Sequence, residues 1–556
     1  MRKLYILLFA FILTTVATTP QPPPPVAADI AARIKQLPDT VIDYDRNLLT
    51  ENDKKVVAIL MEASRHIDEI FWRQVSTDNP ALRKLLVEHA ESPKYREALK
   101  YFNLMKGRWD RLKEDEPFIA PFSEQGKKPE GAGFYPADMT KQEFEKWIAG
   151  HPEDKEKFQD LFTVIRRQGD KLVAVPYSQE YKQFLEPTTQ KLREAAALTQ
   201  NASLRNYLNK LAEAFFKDNY YESDVAWMDL NSDIEVVIGP YEVYEDELFN
   251  YKAAFESFVT VVDKGESQKL EVYAKHLPDM EKNLPMPEEH KNPNRGTESP
   301  IRVVQEIFTG GDARRGVQTS AFNLPNDEKV RQAKGSKKVL LKNVMEAKFK
   351  QSGQPTSQRF MEESQLSSVT FDAYFNHTLF HELSHGLGPG IIVGPDGKKV
   401  DNRILLKELY STIEECKADV LGMWNLFYAI EKGISTSIDK KTLIVSNAGL
   451  HFRSMRFGID EAHGRGTAVQ WNWFREKGAI LPAEGGRFRV DFAKYEQEVK
   501  ALANELLMIE ATGSYDRAQK LLDKYGKSNA EIESTIEKLS DIPVDIGPVF
   551  VAAGEK

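Results

Sequence analysis

A single cysteine, Cys416, stands among 556 residues. One thiol closes no internal disulfide, so burial and hydrogen bonding alone must hold the fold. Positive charge is also in short supply. The 75 lysines and arginines face 84 aspartates and glutamates, giving a formal net charge of −9. With a pI near 5.8, that balance argues against nucleic acid as a partner. Long apolar runs are scarce too: the run from Leu4 to Leu13 is too short to span a bilayer. Arg2 and Lys3 precede it and small residues follow, so residues 1–19 read as a secretory signal peptide. No cysteine follows to carry a lipid, and residues 20–28 form a proline-rich leader. The mature chain is therefore expected to be exported, periplasmic or secreted, without stable membrane insertion.

The remaining length is too great for one core and predicts two large lobes. Helical periodicity dominates. Between Lys54 and Val75, Val56, Val57, Leu60, Ala63, Ile67, Ile70 and Phe71 recur with the 3.6-residue period. The character changes at 233–262. Ile234–Ile238 and Phe258–Val262 are rich in β-branched residues and predict a small sheet. Gly126–Pro136 and Pro285–Pro300 read as connections, and beyond Phe360 the pattern is helical to about Lys538. No internal repeat is present.

Chemistry concentrates in Phe380-His381-Glu382-Leu383-Ser384-His385-Gly386, an H-E-x-x-H pattern. On a helix, residues i and i+4 share a face, so both imidazoles can reach one zinc ion. Glu382 then lies toward the open side of the ion, where a carboxylate can take a proton from the attacking water. Phe371, Tyr374, Phe375, Leu379 and Leu383 recur at helical spacing, and Gly386 to Gly390 end the run. A third ligand is needed. Thr412 to Asp419 supplies candidates on a stripe running from Leu405 through Leu409, Ile413, Cys416 and Val420 to Phe427. Glu415 is the expected ligand, while Glu414 and Asp419 would hold the imidazole N–H groups. Five of the ten histidines lie between 377 and 463. His377 and His451 are expected to be packed or supporting residues. His463, flanked by Gly464 and Gly466, is expected in the site because glycine permits close backbone approach to a ligand.

Together the two motifs resemble the dipeptidyl peptidase III family of zinc exopeptidases. Glu414-Glu415-Cys416-Lys417-Ala418-Asp419 is similar to that family's more specific element. Phe322-Asn323-Leu324-Pro325-Asn326 followed by Val330-Arg331-Gln332 resembles its substrate-binding segment, which implies that Asn323 and Asn326 hold the peptide. Glu235-Val236-Val237-Ile238-Gly239-Pro240 resembles the strand presenting a glutamate, here Glu235, to the substrate's amino group. Glu461 to Gly466 looks like the stretch whose histidine, here His463, assists the transition state. The resemblance implies a mostly α fold with a smaller β portion (α+β), two lobes and a wide cleft. It places a substrate-binding lobe at 29–255 plus 307–352 and a helical lobe carrying one zinc ion at 256–306 plus 353–556.

The family's usual motif has six residues, H-E-x-x-G-H, and this chain has the five-residue form. Val237 takes the place of the family's catalytic tyrosine, so that donor is missing or comes from Tyr241 or Tyr244. No counterpart of the family's late arginine is found, and no glutamate-rich Nudix box accompanies the peptidase motifs. The expected function is zinc-dependent cleavage of short peptides with release of dipeptides from the amino terminus. Rival readings are an aminopeptidase or endopeptidase of altered specificity, and a secreted peptide-binding protein. The sequence sets no oligomeric state.

Overall fold

The computed structural model describes residues 22–123, 126–292, 300–394, 397–459 and 461–555. The stretch read as a signal peptide lies outside these residues. Within the leader, Pro25 and Ala27 are tied down by main-chain hydrogen bonds to Ala120 and Phe118, and Val26 is buried.

After a short helical turn at Ile30–Ile34 comes the first strand, β1 (Asp39–Ile42). The long helix α1 (Glu51–Val75) follows, with Thr50 as its cap: the Thr50 hydroxyl accepts from the Asp53 N–H at 3.2 Å. Val56, Leu60, Ala63, Ile67, Ile70 and Phe71 are fully buried, as the period predicts. They pack on a five-stranded sheet of β2 (Ile234–Glu242), β3 (Ala254–Val262), β4 (Ile301–Gly311), β5 (Ala321–Leu324) and β6 (Lys337–Leu341). The order across the sheet is β2-β3-β4-β6-β5, so β5 is an edge. All pairs are antiparallel except β4 with β6. Every residue of β3 is buried, because neighbours cover both of its faces. Sequence periodicity finds β2 and the end of β3 but not β4 to β6, whose apolar runs are short and interrupted by charges.

Two large cores result. One collects α1, the sheet and Ile546 and Phe550; the other is built from helices between Leu270 and Ile542. The boundary expected at 255/256 is corrected here. All of β3 and most of β4 belong to the sheet lobe because they are ladder-paired to it, and the segment joining the helical core is Leu270–Met286. Adjacent strand residues point to opposite faces. Val303 and Leu340 therefore enter the helical core, while Val304, Val339 and Leu341 enter the sheet core. The lobes share β4 and β6. The helical lobe carries α2 (Phe371–Ser384), α3 (Tyr410–Glu431) and α4 (Ala462–Glu476). The apolar stripe expected from Leu405 onward is broken before α3, where Lys407 has φ of +53°. Among the described residues, no helix is long and apolar enough to cross a membrane.

Candidate active site

Helices α2 and α3 bring the two motifs together through a close approach at Gly422. A Cβ built there would lie 3.0 Å from the His381 backbone nitrogen, so glycine lets α3 pass against α2. Thr370 caps α2 by accepting from the Ala373 N–H, and Phe375, Leu379, Phe380 and Leu383 anchor its buried face. His381 and His385 then project toward α3. His381 Nδ1 lies 2.7 Å from Asp419 Oδ1, and His385 Nδ1 lies 2.8 Å from Glu414 Oε1. Each carboxylate accepts the Nδ1–H, which leaves both Nε2 atoms as bare lone pairs.

Those two lone pairs face each other at 3.1 Å. Glu415 Oε2 lies 3.3 Å from His381 Nε2 and 3.8 Å from His385 Nε2. This oxygen is buried and accepts no hydrogen bond. Two ring nitrogens and a carboxylate oxygen brought this close together form the donor set of a metal site. Ligand atoms of His381, His385 and Glu415 lie within 4.8 Å of one another, as one metal ion requires.

The surroundings fix this geometry. Gln470 Nε2 donates to Asp419 Oδ2 at 3.1 Å, and His377 Nε2 donates to the Asp419 carbonyl at 2.9 Å. The buried Lys417 ammonium donates to Glu414 Oε2 at 2.9 Å and lies 3.3 Å from Glu510 Oε2. Burial pushes both supporting carboxyls up, but His381 beside Asp419 and Lys417 beside Glu414 outweigh it and hold them well below the usual range. Both stay ionised and keep the histidine tautomers fixed.

Glu382 stands on the open side. Lys338 on β6 donates to its Oε2 at 2.8 Å and to its main-chain carbonyl at 3.0 Å, tying the sheet lobe to the base of the site. Burial raises the Glu382 carboxyl, but Lys338, then His381 and His385, bring it down to about 2. His463 is largely exposed with Nδ1 3.2 Å from Glu415 Oε2, and its ring centre is 6.3 Å from that of His381. Two cavities of about 610 and 840 Å³ share His381, Glu382 and His463. The larger is also lined by Asn323, Phe322 and Lys338 across the cleft, and the smaller by Tyr374, Asn447 and Gln470. Such a groove continues on both sides of the three candidate ligands.

Other expectations need correction. Gly464 and Gly466 face protein rather than a ligand: a Cβ at Gly464 would strike the Gly458 carbonyl, and one at Gly466 would meet Cys416 at 3.3 Å. They let α4 pack down so that His463 reaches Glu415. Glu235 does not face the cleft. It is 2 % exposed, and the buried Lys337 ammonium donates to its two oxygens at 3.1 and 3.3 Å. A substrate ammonium cannot replace Lys337 there without opening the core. Asn326 is exposed and donates to the Tyr241 carbonyl at 2.7 Å, outside both cavities, whereas Asn323 lines the larger one. Tyr241 donates its hydroxyl to Asp224, and the exposed Tyr244 lines neither cavity. His451 is buried against Phe474, where desolvation lowers it to about 3 and keeps it neutral.

Known proteins share this architecture. The model of "Peptidase family M49" matches residues 137–404. The chain is 38 % identical to Nudix hydrolase 3 of Arabidopsis thaliana, over 91 % of this chain and 72 % of that protein. It is 24 % identical to dipeptidyl peptidase 3 of Dictyostelium discoideum, over 63 % of this chain and 58 % of that one. The structure of DPP III from Caldithrix abyssi superposes with a TM-score of 0.90 at 50 % identity, covering 94 % of this chain and 99 % of that chain. Dipeptidyl-peptidase III from Corallococcus sp. strain EGB gives 0.79 at 41 % identity, covering 95 % and 98 %. With its paired motifs and two-lobed α+β fold matched across nearly its whole length, the chain belongs to the dipeptidyl peptidase III family, peptidase family M49, and is a peptidase.

Proposed function

We propose that this protein is a zinc-dependent exopeptidase that releases dipeptides from the amino terminus of short peptides. The observation that carries the metal assignment is the convergence of three ligand atoms: His381 Nε2, His385 Nε2 and Glu415 Oε2. A site of two imidazoles and one carboxylate with an open side suits a single zinc ion. When bound, zinc would polarise the scissile carbonyl and lower the pKa of the attacking water.

The protein groups do the rest. Glu382 takes the proton from the attacking water and passes it to the leaving amine, the work of a general base that becomes a general acid. Lys338 keeps its carboxylate ionised and aimed. His463 donates to the oxygen that gains charge in the tetrahedral transition state. Edge strand β5 offers backbone donors and acceptors to an extended peptide, with Asn323 beside it. The names of the structural relatives support the dipeptide step. The apolar run after Arg2 and Lys3 supports export of the enzyme.

A second reading keeps the same chemistry with altered specificity, as an aminopeptidase or endopeptidase. It is favoured by Glu235, whose burial under Lys337 takes that carboxylate out of reach of a free amino terminus. Mass spectrometry of a peptide mixture incubated with zinc-loaded enzyme separates the two. Dipeptides appearing from free termini, and not from acetylated ones, support dipeptidyl release. Single residues or internal fragments establish the second reading.

The supporting carboxylates give a further prediction. Asp419→Asn leaves the fold intact but disturbs the His381 tautomer, and zinc affinity falls by about 10–100-fold. Competition with a chromophoric chelator measures it, and unchanged affinity would remove Asp419 from the site.

A further inference from the structure

The smaller cavity carries a cation that the peptidase chemistry leaves unused. Histidines aside, the acidic and basic residues lining it are Lys348, Glu382, Asp419, Arg453 and Glu461. All but one have partners. Glu382 is met by Lys338, and Asp419 by His381. Glu461 accepts from the N–H groups of His463 and Gly464, and Lys348 lies 3.2 Å from the buried Asp545. Arg453, on the helix Lys440–Met455, is the exception. Among the described residues it has no ion pair, and its buried Nε reaches no hydrogen-bond acceptor.

Two aromatic rings stand where an acid would be expected. The guanidinium carbon lies 5.8 Å from the centre of the Tyr374 ring and 5.9 Å from that of Phe457. Rings so placed favour a cation and restrict it, but they supply no acceptor for the N–H groups of its fork. Lys348, close enough to feel the charge of Arg453, adds to the positive potential at this end of the groove. A planar fork of donors held in a groove without its own acid suits a carboxylate, which it can bind through two parallel hydrogen bonds.

The place of Arg453 along the groove says which carboxylate. Phe322 and Asn323 of β5 line the larger cavity, Val317 and Ser320 just before the strand line the smaller, and Ala321 lines both. A peptide extended along β5 passes from one cavity to the other across the candidate ligands. With its amino-terminal part beside Asn323, as the proposed function has it and as this inference requires, the part that leaves points toward Arg453. Tyr374, under the guanidinium, precedes His381 by two turns of α2, or about 10 Å. An extended chain covers that distance in about three residues. We propose that Arg453 binds the free carboxyl terminus of the substrate, about three residues beyond the scissile bond, and so selects short peptides that end in a carboxylate.

The test uses full-length, zinc-loaded protein and one pentapeptide in two forms, the free acid and the carboxyl-terminal amide. Calorimetry on the Glu382→Gln enzyme measures binding without turnover, and the acid should bind about 10–100-fold more tightly than the amide. Adding Arg453→Gln should abolish that difference by weakening the acid alone, and Arg453→Lys should keep part of it. With Glu382 intact, Arg453→Gln should raise KM for the acid and not for the amide. Equal binding of acid and amide when Arg453 is present, or an equal loss of both in Arg453→Gln, overturns the assignment and leaves Arg453 a packing residue. Mass spectrometry of the products of the intact enzyme reports separately where the chain is cut, so failure of the dipeptidyl reading is distinguished from failure of the carboxylate contact.

Discussion

Replacing Glu382 with glutamine leaves the three ligands in place and lowers kcat/KM by about 10²–10⁴-fold. The amide keeps the size of the side chain and can still meet Lys338, but it cannot accept a proton from water. The wild-type carboxylate is poised for this task because Lys338, at 2.8 Å, keeps it ionised against the cost of burial. Zinc content and peptide turnover measured on the same sample decide the outcome. Full zinc with rates near wild type would assign the base elsewhere. Loss of zinc together with activity would make Glu382 a structural member of the site.

The second large effect concerns stability. Glu235→Ala removes the partner of a lysine that is 1 % exposed and sits 4.1 Å above the Trp227 ring. Burial works against both charges, pushing the Glu235 carboxyl up and the Lys337 ammonium down. A buried pair of this kind adds little net stability, yet breaking it strands a charge and costs about 3–5 kcal/mol. The first unfolding transition in urea should shift accordingly. The double variant Glu235→Leu, Lys337→Met should recover most of the loss, because neither charge remains. Peptides with free and blocked amino termini should be affected alike. A selective loss on free termini in a fully stable Glu235→Ala protein would return Glu235 to the role of substrate anchor.

The candidate metal ligands are legible in the sequence because their geometry is local. His381 and His385 are one helical turn apart, and Glu414, Glu415 and Asp419 lie within six residues on another helix. Helical spacing alone predicts which side chains share a face. Lys338 was not legible. Its partner Glu382 is 44 residues away and is met only through the register of β6. Lys337 and Lys338 are adjacent on a strand and must point to opposite faces, but periodicity does not say which enters the core. The same limit misplaced Glu235: its strand was evident, whereas its partner lies 102 residues further along. Gly464 and Gly466 permit close approach, but of protein and not of the ligand that the sequence leads one to expect. What approaches is the chain itself, and that depends on how α4 docks on α3.

The first strand, β1, runs parallel to β7 (Gly547–Phe550), with Asp39 opposite Gly547 and Ile42 opposite Phe550. Phe550 is fully buried and packs with its ring 5.6 Å from that of Phe308 on β4. Gln318 on the sheet lobe also hydrogen-bonds the buried Asp545. The sheet lobe is thus finished by residues that follow the whole helical lobe in the chain. During synthesis β1 therefore has no parallel partner, and Phe308 no Phe550, until the helical lobe has been translated. Loss of residues 545–550 would therefore be felt first in the sheet lobe, which begins about 500 positions earlier in the chain.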